Sequence, residues 1–537
     1  MQKWTRRQIL HSSLAAGGLA ASGFGLRRLL SGDESGLIPV HASGPSTQRG
    51  HRIRDGFVFP DPTEFNSSDV LIVGGGMAGL SAAWRLQKKG GTRFQVFELE
   101  DEVGGNSRSG VNSVSPYPWG AHYVTLPNDE AEFVHELYAE LGITQGSRRG
   151  RRIYNEYYLC QAPQERLFQS HKWHEGLLPK VGLSAEDDKQ AQDFFAHIEI
   201  LRHQKGRDGK FAFAIPLELS SQDSKFLAWD QLTMQDYMHK MGWTSVPLHW
   251  YVNYCCRDDY GTPHAQVSAW AGLHYFCSRR GRADGVEASA VLTWPEGNGW
   301  LVNRLREKLQ GSIKTGSMAI KVESTGSGVT VDFWQEKSHT VSRWQGQYLI
   351  LAIPRFVAAR LVPQKISLPS YSPWLVANLT LSRLPKQNLG APLSWDNVFY
   401  QSPSLGYVVA THQSPQIHTG ASVWTYYRPL DHLPPAEARR EALTRSPEFW
   451  REQILEELAQ AHPEIRDCVK QVELWTWGHA MARPVPGFLW GSERQKMLAS
   501  VGRIHFAHSD MSGISLFEEA NYRGVKAANE VLRHGIV

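Results

Sequence analysis

The sequence predicts an α/β fold organised around a βαβ unit, and three observations predict it. The first is the run Val70-Leu71-Ile72-Val73, short, apolar and β-branched, the pattern of a strand buried on both faces. The second is the turn Gly74-Gly75-Gly76-Met77-Ala78-Gly79-Leu80, which leaves that strand and opens a helix. The third is a second strand closed by Phe97-Glu98, with the acid about 20 residues beyond the last glycine. Gly74 makes the tight turn, Gly76 with Ala78 beside it lets the backbone approach a pyrophosphate, and Gly79 lets helix and strand pack closely. The anion then rests on the helix N-terminus. Glu98 is placed to accept hydrogen bonds from ribose hydroxyls. The unit is Rossmann-like and binds a dinucleotide.

Which dinucleotide follows from the next residues. Glu98 runs into Glu100-Asp101-Glu102-Val103-Gly104-Gly105-Asn106-Ser107-Arg108-Ser109, and here the chain resembles the flavin-containing amine oxidase and phytoene desaturase superfamily. That family places a second glycine pair after its ribose-binding acid, a loop that a nicotinamide dehydrogenase does not need. The resemblance implies FAD, held by Gly105 and by Asn106 or Arg108, since Asn106 stands where many members have Arg. Ala121 and His122, within Tyr117-Pro118-Trp119-Gly120-Ala121-His122-Tyr123, match the segment along the flavin ring. Trp294-Pro295-Glu296-Gly297-Asn298-Gly299 resembles the family's glycine-rich approach to a helix before a hairpin. In that hairpin Ala319 to Glu323 and Val329 to Val331 flank a Thr325-Gly326-Ser327-Gly328 turn, and Val322 is, by resemblance, the backbone contact to adenine. Gly502 to Ala507 and Glu518 to Ala528 resemble the C-terminal cofactor motif. There His508 and Ser509 replace Gly and Glu, so Asp510 is assigned the missing acid.

The cofactor motifs fall at 67–155, 285–360 and 480–537, which makes a Rossmann-like FAD-binding domain with an interleaved α+β substrate domain at 156–284 and 361–479. Ahead of them, Thr5-Arg6-Arg7-Gln8-Ile9-Leu10 and the mildly apolar Ser12 to Leu26 read as a twin-arginine export signal over 1–42, with Val40-His41-Ala42 as the cleavage point. Residues 43–66, rich in Gly, Pro, Ser, Arg and Asp, read as a linker. The expected location is the periplasm, with the translocation machinery as a partner and oxygen, a quinone or a cytochrome as electron acceptor.

Composition narrows the partners. Lys+Arg 57 against Asp+Glu 53 in 537 residues gives +4, too balanced for a nucleic-acid protein. The basic run Arg148-Arg149-Gly150-Arg151-Arg152 reads as a solvated loop, or as a docking patch for an anionic partner. Five cysteines show no metal spacing; adjacent Cys255 and Cys256 are a strained disulfide or, as favoured, two buried thiols.

Candidate catalytic residues come from two clusters. Arg257-Asp258-Asp259-Tyr260 offers Asp259 and Tyr260 as acid and phenol, against the alternative of a helix cap and a salt bridge. Trp475-Thr476-Trp477-Gly478-His479 precedes the C-terminal motif, with Trp477 as pocket wall and His479 as proton shuttle or structural histidine. In Trp424-Thr425-Tyr426-Tyr427, strand alternation puts Tyr427 opposite Trp424 and Tyr426, and either face is open to the pocket. Family amine oxidases often use a Lys near the flavin. Trp374 to Leu381, where it is expected, has none, and Lys365 and Lys386 only flank it. The expected activity is dehydrogenation of a C–N or C–C bond in a small molecule. A flavin-dependent isomerase or desaturase of an unsaturated lipid and a non-catalytic flavin-binding protein are the alternatives.

Overall fold

The computed structural model describes residues 37–535 except 288, 388 and 415–419, so the twin-arginine motif lies outside the described residues. The strand Val70–Val73 is buried along its whole length because it is the centre of a five-stranded parallel sheet. The order across that sheet is Ile313–Lys314, Phe94–Phe97, Val70–Val73, Tyr348–Leu351 and Ile504–Phe506. A strand hydrogen-bonded on both sides and covered on both faces must be apolar throughout, which is what its four residues supply.

The helix Met77–Lys89 leaves this sheet at Gly76, and the C-terminal helix Phe517–Arg533 crosses it. Close packing at both contacts rests on glycine. A Cβ on Gly79 would lie 1.9 Å from the Gly74 carbonyl oxygen, and one on Gly524 would lie 2.0 Å from that of Ala78.

The hairpin expected around Thr325 to Gly328 is present: Ser317–Ser324 pairs with Val329–Gln335, placing Val322 opposite Val331. Thr340–Gly346 and Glu64–Ser67 complete a four-stranded sheet. An eight-stranded sheet runs in the order Val40–Ser43, Val469–Ala482, Tyr371–Leu381, Ser422–Pro429, Tyr407–Val409, Asp396–Phe399, Glu165–Gln169 and Lys172–Glu175. The helices Ala185–His203, Met234–Lys240, Val246–Tyr260 and Ala269–Cys277 share one apolar core with it. The last of these is capped by the Ser268 side chain, which accepts from the Ala271 N–H.

Residues 43–66 are not a bare linker. They follow a strand that pairs with Val469–Ala482, then form the short helix Thr47–His51 and run into Glu64–Ser67. Composition missed these elements because their outer faces are exposed and too short to show a period. The Val40-His41-Ala42 cleavage point accordingly lies inside a paired strand, with Ala42 opposite Leu474. Cys255 and Cys256 are free buried thiols. Among the described residues no helix is long and apolar enough to cross a membrane.

Gly524→Ala is expected to destabilise the folded chain by about 1–3 kcal/mol, because the added methyl drives the two crossing helices apart. Thermal unfolding checks this; an unchanged Tm would mean the helices have room that the contact distance denies.

Candidate functional site

The cofactor cradle is built from two loops that face each other. Gly76 forms a parallel bridge with Gly104, and the Gly104 N–H donates to the Gly75 carbonyl at 2.8 Å. A Cβ on Gly76 would meet only the Gly105 Cα, at 4.0 Å, and one on Gly105 only the Gly76 Cα, at 3.4 Å. Gly74 and Gly79 are hemmed in by backbone, whereas this pair borders a cleft. That is the difference expected between glycines needed for packing and glycines needed for close approach of a phosphate.

Glu98 closes the cradle. Its carboxylate accepts from the Gly75 N–H at 2.7 Å and from the Glu100 N–H at 2.9 Å. Burial raises its pKa, and the two backbone donors oppose that shift by favouring the charged form. The residues fit FAD: the paired glycines would take the pyrophosphate, Glu98 the adenosine ribose, and the segment through Ala121 the flavin end.

That segment is fixed from several directions. The Ala121 N–H donates to the Asn106 carbonyl at 2.9 Å, and the Tyr427 hydroxyl to the Gly120 carbonyl at 2.8 Å. The Asn106 side-chain amide donates to the Ala480 carbonyl at 2.6 Å, so it ties the glycine loop to the substrate sheet. Arg108 lies 3.8 Å from Glu100 and over the Trp475 ring. Val322 sits in its hairpin as expected. Asp510 is tied to several segments. It is buried, and its carboxylate accepts from the Tyr371 hydroxyl at 2.6 Å and the Arg355 N–H at 3.0 Å, with the His508 ring also at 3.0 Å. Those partners brace the C-terminal loop.

Between this segment, the first turn of the C-terminal helix and the substrate sheet lies a cavity, lined among others by Ala121, His122, Tyr427, Trp477 and Glu518. Of the catalytic candidates, Trp477 and Asp259 line it. Trp477 donates through Nε1 to the Trp119 carbonyl at 2.6 Å, which fixes it as a wall. Asp259 is ion-paired with Arg279 at 2.6 Å. Tyr260 is turned away, fully buried, with its hydroxyl on the Ala271 carbonyl at 2.8 Å. His479 also lies elsewhere, stacked on Phe356 with 4.4 Å between ring centres. Strand alternation would put it beside Trp477, but the pairing register slips between Ser372 and Trp374, so extra residues bulge out at 478–480 and break the alternation. Arg257 makes the salt bridge that was its structural alternative, 2.6 Å from Asp431.

The cavity holds acids that sequence reasoning had passed over or left unassigned. Asp258 and Asp396 both line it. The Tyr123 hydroxyl donates to Asp258 at 3.3 Å and the Tyr254 hydroxyl to Asp396 at 3.4 Å. Burial, then the neighbouring Asp259 charge, raises Asp258 to about 7. Burial, then Asp258 and Glu165, holds Asp396 well above the usual carboxylate range. Burial likewise raises Glu518 to about 7, while Thr125 donates to it at 3.0 Å. His122 stacks on Tyr427 at 4.5 Å and is kept neutral by burial, its pKa lowered to about 4. No residue lining the cavity is a lysine.

Comparison with known proteins agrees with this geometry. A family model described as an NAD(P)-binding Rossmann-like domain matches residues 72–141. The chain is 24% identical over 502 residues to an L-amino acid dehydrogenase of Synechocystis sp., covering 87% of this chain and 95% of that one. It is 24% identical over 327 residues to the flavin-containing amine oxidase A of Equus caballus, covering 59% of this chain and 55% of that one. A solved putrescine oxidase bound to putrescine superposes with TM-score 0.63 at 16% identity, over 87% of this chain and 100% of that one. The fold is that of the amine oxidases. With the double-glycine cradle and Glu98 inside that fold, the chain is an FAD-dependent oxidoreductase of the amine-oxidase type.

Glu98→Ala is expected to weaken FAD binding by roughly 1.5–3 kcal/mol, the worth of a hydrogen bond to a charged group. Titration of apoprotein with FAD, followed by flavin fluorescence, measures it; wild-type affinity in the variant would remove Glu98 from the site.

Proposed function

We propose that this FAD-dependent oxidoreductase dehydrogenates the C–N bond of a cationic amine in the periplasm, after export by the twin-arginine route. The observation that carries the substrate class is the charge of the cavity. Asp258 and Asp396 face it, and Arg279, the cation that acts on Asp258, is bound to Asp259. An ammonium group compensates such buried acids; the carboxylate of an amino acid or a fatty acid would add to their repulsion. This charge argument favours C–N over lipid C–C chemistry and speaks against the isomerase alternative. A non-catalytic flavoprotein would have no use for a cluster of buried acids beside the flavin segment.

When bound, FAD supplies the two-electron acceptor for the carbon next to the nitrogen. The chain's own residues bind and orient. Asp258, when ionised, draws the ammonium in, Tyr123 and Tyr254 hold the Asp258 and Asp396 carboxyls in place, and the Tyr427, Trp477 and His122 rings exclude water and shape the apolar walls. Oxygen, a quinone or a cytochrome then takes the electrons, because an exported enzyme has lost contact with the cytoplasmic NAD(P)H pool and the chain carries a single dinucleotide fingerprint.

The sign of the pH dependence follows from Asp258. Its pKa is raised to about 7, so below that pH the carboxyl is neutral and attracts no cation; above it the charge and the attraction are present. KM for a cationic amine therefore falls as pH rises through about 7, and Asp258→Asn raises KM and flattens that limb. Steady-state kinetics from pH 5 to about pH 9 checks this. A variant with the wild-type pH profile would exclude the aspartate from substrate binding.

Replacing Arg6 and Arg7 by Lys should leave a folded, flavin-loaded precursor in the cytoplasm, since the pair is read by a receptor. Cell fractionation with flavin fluorescence reports it, and unaltered export would refute the signal.

A further inference from the structure

The segment ahead of the cofactor domain makes contacts that a tether would not need. Val40–Ser43 adds a parallel edge strand to the substrate sheet, with Ser43 opposite Trp475, the ring under the Arg108 guanidinium. Three residues later the chain reaches the loop that follows Glu98. The Ser46 N–H donates to the Glu100 carboxylate at 2.7 Å. Arg49 donates to the Leu99 carbonyl at 3.2 Å and to the Asp101 carboxylate at 2.9 Å. Arg52 then forms a two-pronged pair with Glu336 at 2.7 and 2.8 Å, anchoring the segment to the hairpin sheet. Each of Leu99, Glu100 and Asp101 is thus gripped from outside by Ser46 or Arg49.

The gripped loop is the one that orients the ribose carboxylate. The Glu100 N–H is one of the two donors to Glu98, and its direction depends on the conformation of Leu99 to Asp101. We propose that residues 40–52 are a positioning strap for FAD: they clamp the loop after Glu98 from the outside and so set the affinity for the adenosine half of the cofactor. This rests on the FAD reading of the cradle. Its charged contacts are side chain to carboxylate and side chain to carbonyl, the kind whose loss changes orientation without emptying a core.

The test compares FAD dissociation constants of apoproteins that begin at Val40 and at Ile53, together with Arg49→Ala, Arg49→Lys and Arg54→Ala in the longer chain. Arg54 is on the same segment but pairs with its neighbour Asp55, and serves as the control. The Val40 chain and Arg54→Ala should bind FAD as the full chain does. Arg49→Ala should bind about tenfold more weakly, with Arg49→Lys recovering part of the loss. At saturating FAD the flavin absorption spectrum should equal that of wild type, which separates a loosened adenosine site from general damage. The Ile53 chain should lose more affinity than Arg49→Ala; if it fails to fold, the point variants decide. Wild-type FAD affinity in Arg49→Ala would overturn the strap, and so would a loss in Arg54→Ala equal to that in Arg49→Ala. A wild-type chain that binds no FAD would instead overturn the cofactor reading itself.

Discussion

The hydrogen bonds that Gly75 and Glu100 give to the Glu98 carboxylate join the parts of this molecule that must act together. One donor belongs to the glycine turn at the head of the first helix, the other to the loop that leads into the second glycine pair. A buried carboxylate without donors would be neutral or would not be tolerated. With them it becomes the acceptor around which strand, turn and loop have a single arrangement. The Gly76 and Gly104 bridge follows from that arrangement, and Asn106 carries it on to the substrate sheet through Ala480.

The second constraint is electrostatic. Asp258 stands near the end of the helix Val246–Tyr260 and Asp396 begins the strand Asp396–Phe399, so neither acid can be withdrawn without moving an element of the core. Fixed carboxyls in a space of low polarity hold protons until a cation arrives. Tyrosine hydroxyls mark the positions at which they are held, and Arg279 neutralises Asp259.

The cradle was legible because its determinants are local. Gly74, Gly76, Gly79 and Glu98 answer to backbone geometry within one βαβ unit, and the hairpin around Val322 answers to alternation and turn chemistry. The cavity was legible only in part. Asp258 was noticed in its cluster without an assigned role, and Asp396 left no mark, because the two meet only after a helix and a distant strand pack together. His479 and Tyr260 were candidates by sequence neighbourhood alone, and the bulge after Trp477 and the turn of the helix carry both away from the cavity. The strap was hidden by its composition: four-residue strands with exposed faces have no period to read. Asp510 was assigned from a motif position, whereas its partners Tyr371 and Arg355 come from segments far away in the chain.

The most direct measurement is anaerobic mixing of the FAD-loaded protein with cationic amines, amino acids and unsaturated fatty acids, followed by loss of the oxidised flavin absorbance. Bleaching by a cationic amine, with aldehyde or ketone and ammonia as products and no bleaching by the carboxylates, is the predicted result. Bleaching by an amino acid or a fatty acid while every cationic amine leaves the flavin oxidised would contradict the charge argument on which the substrate class rests.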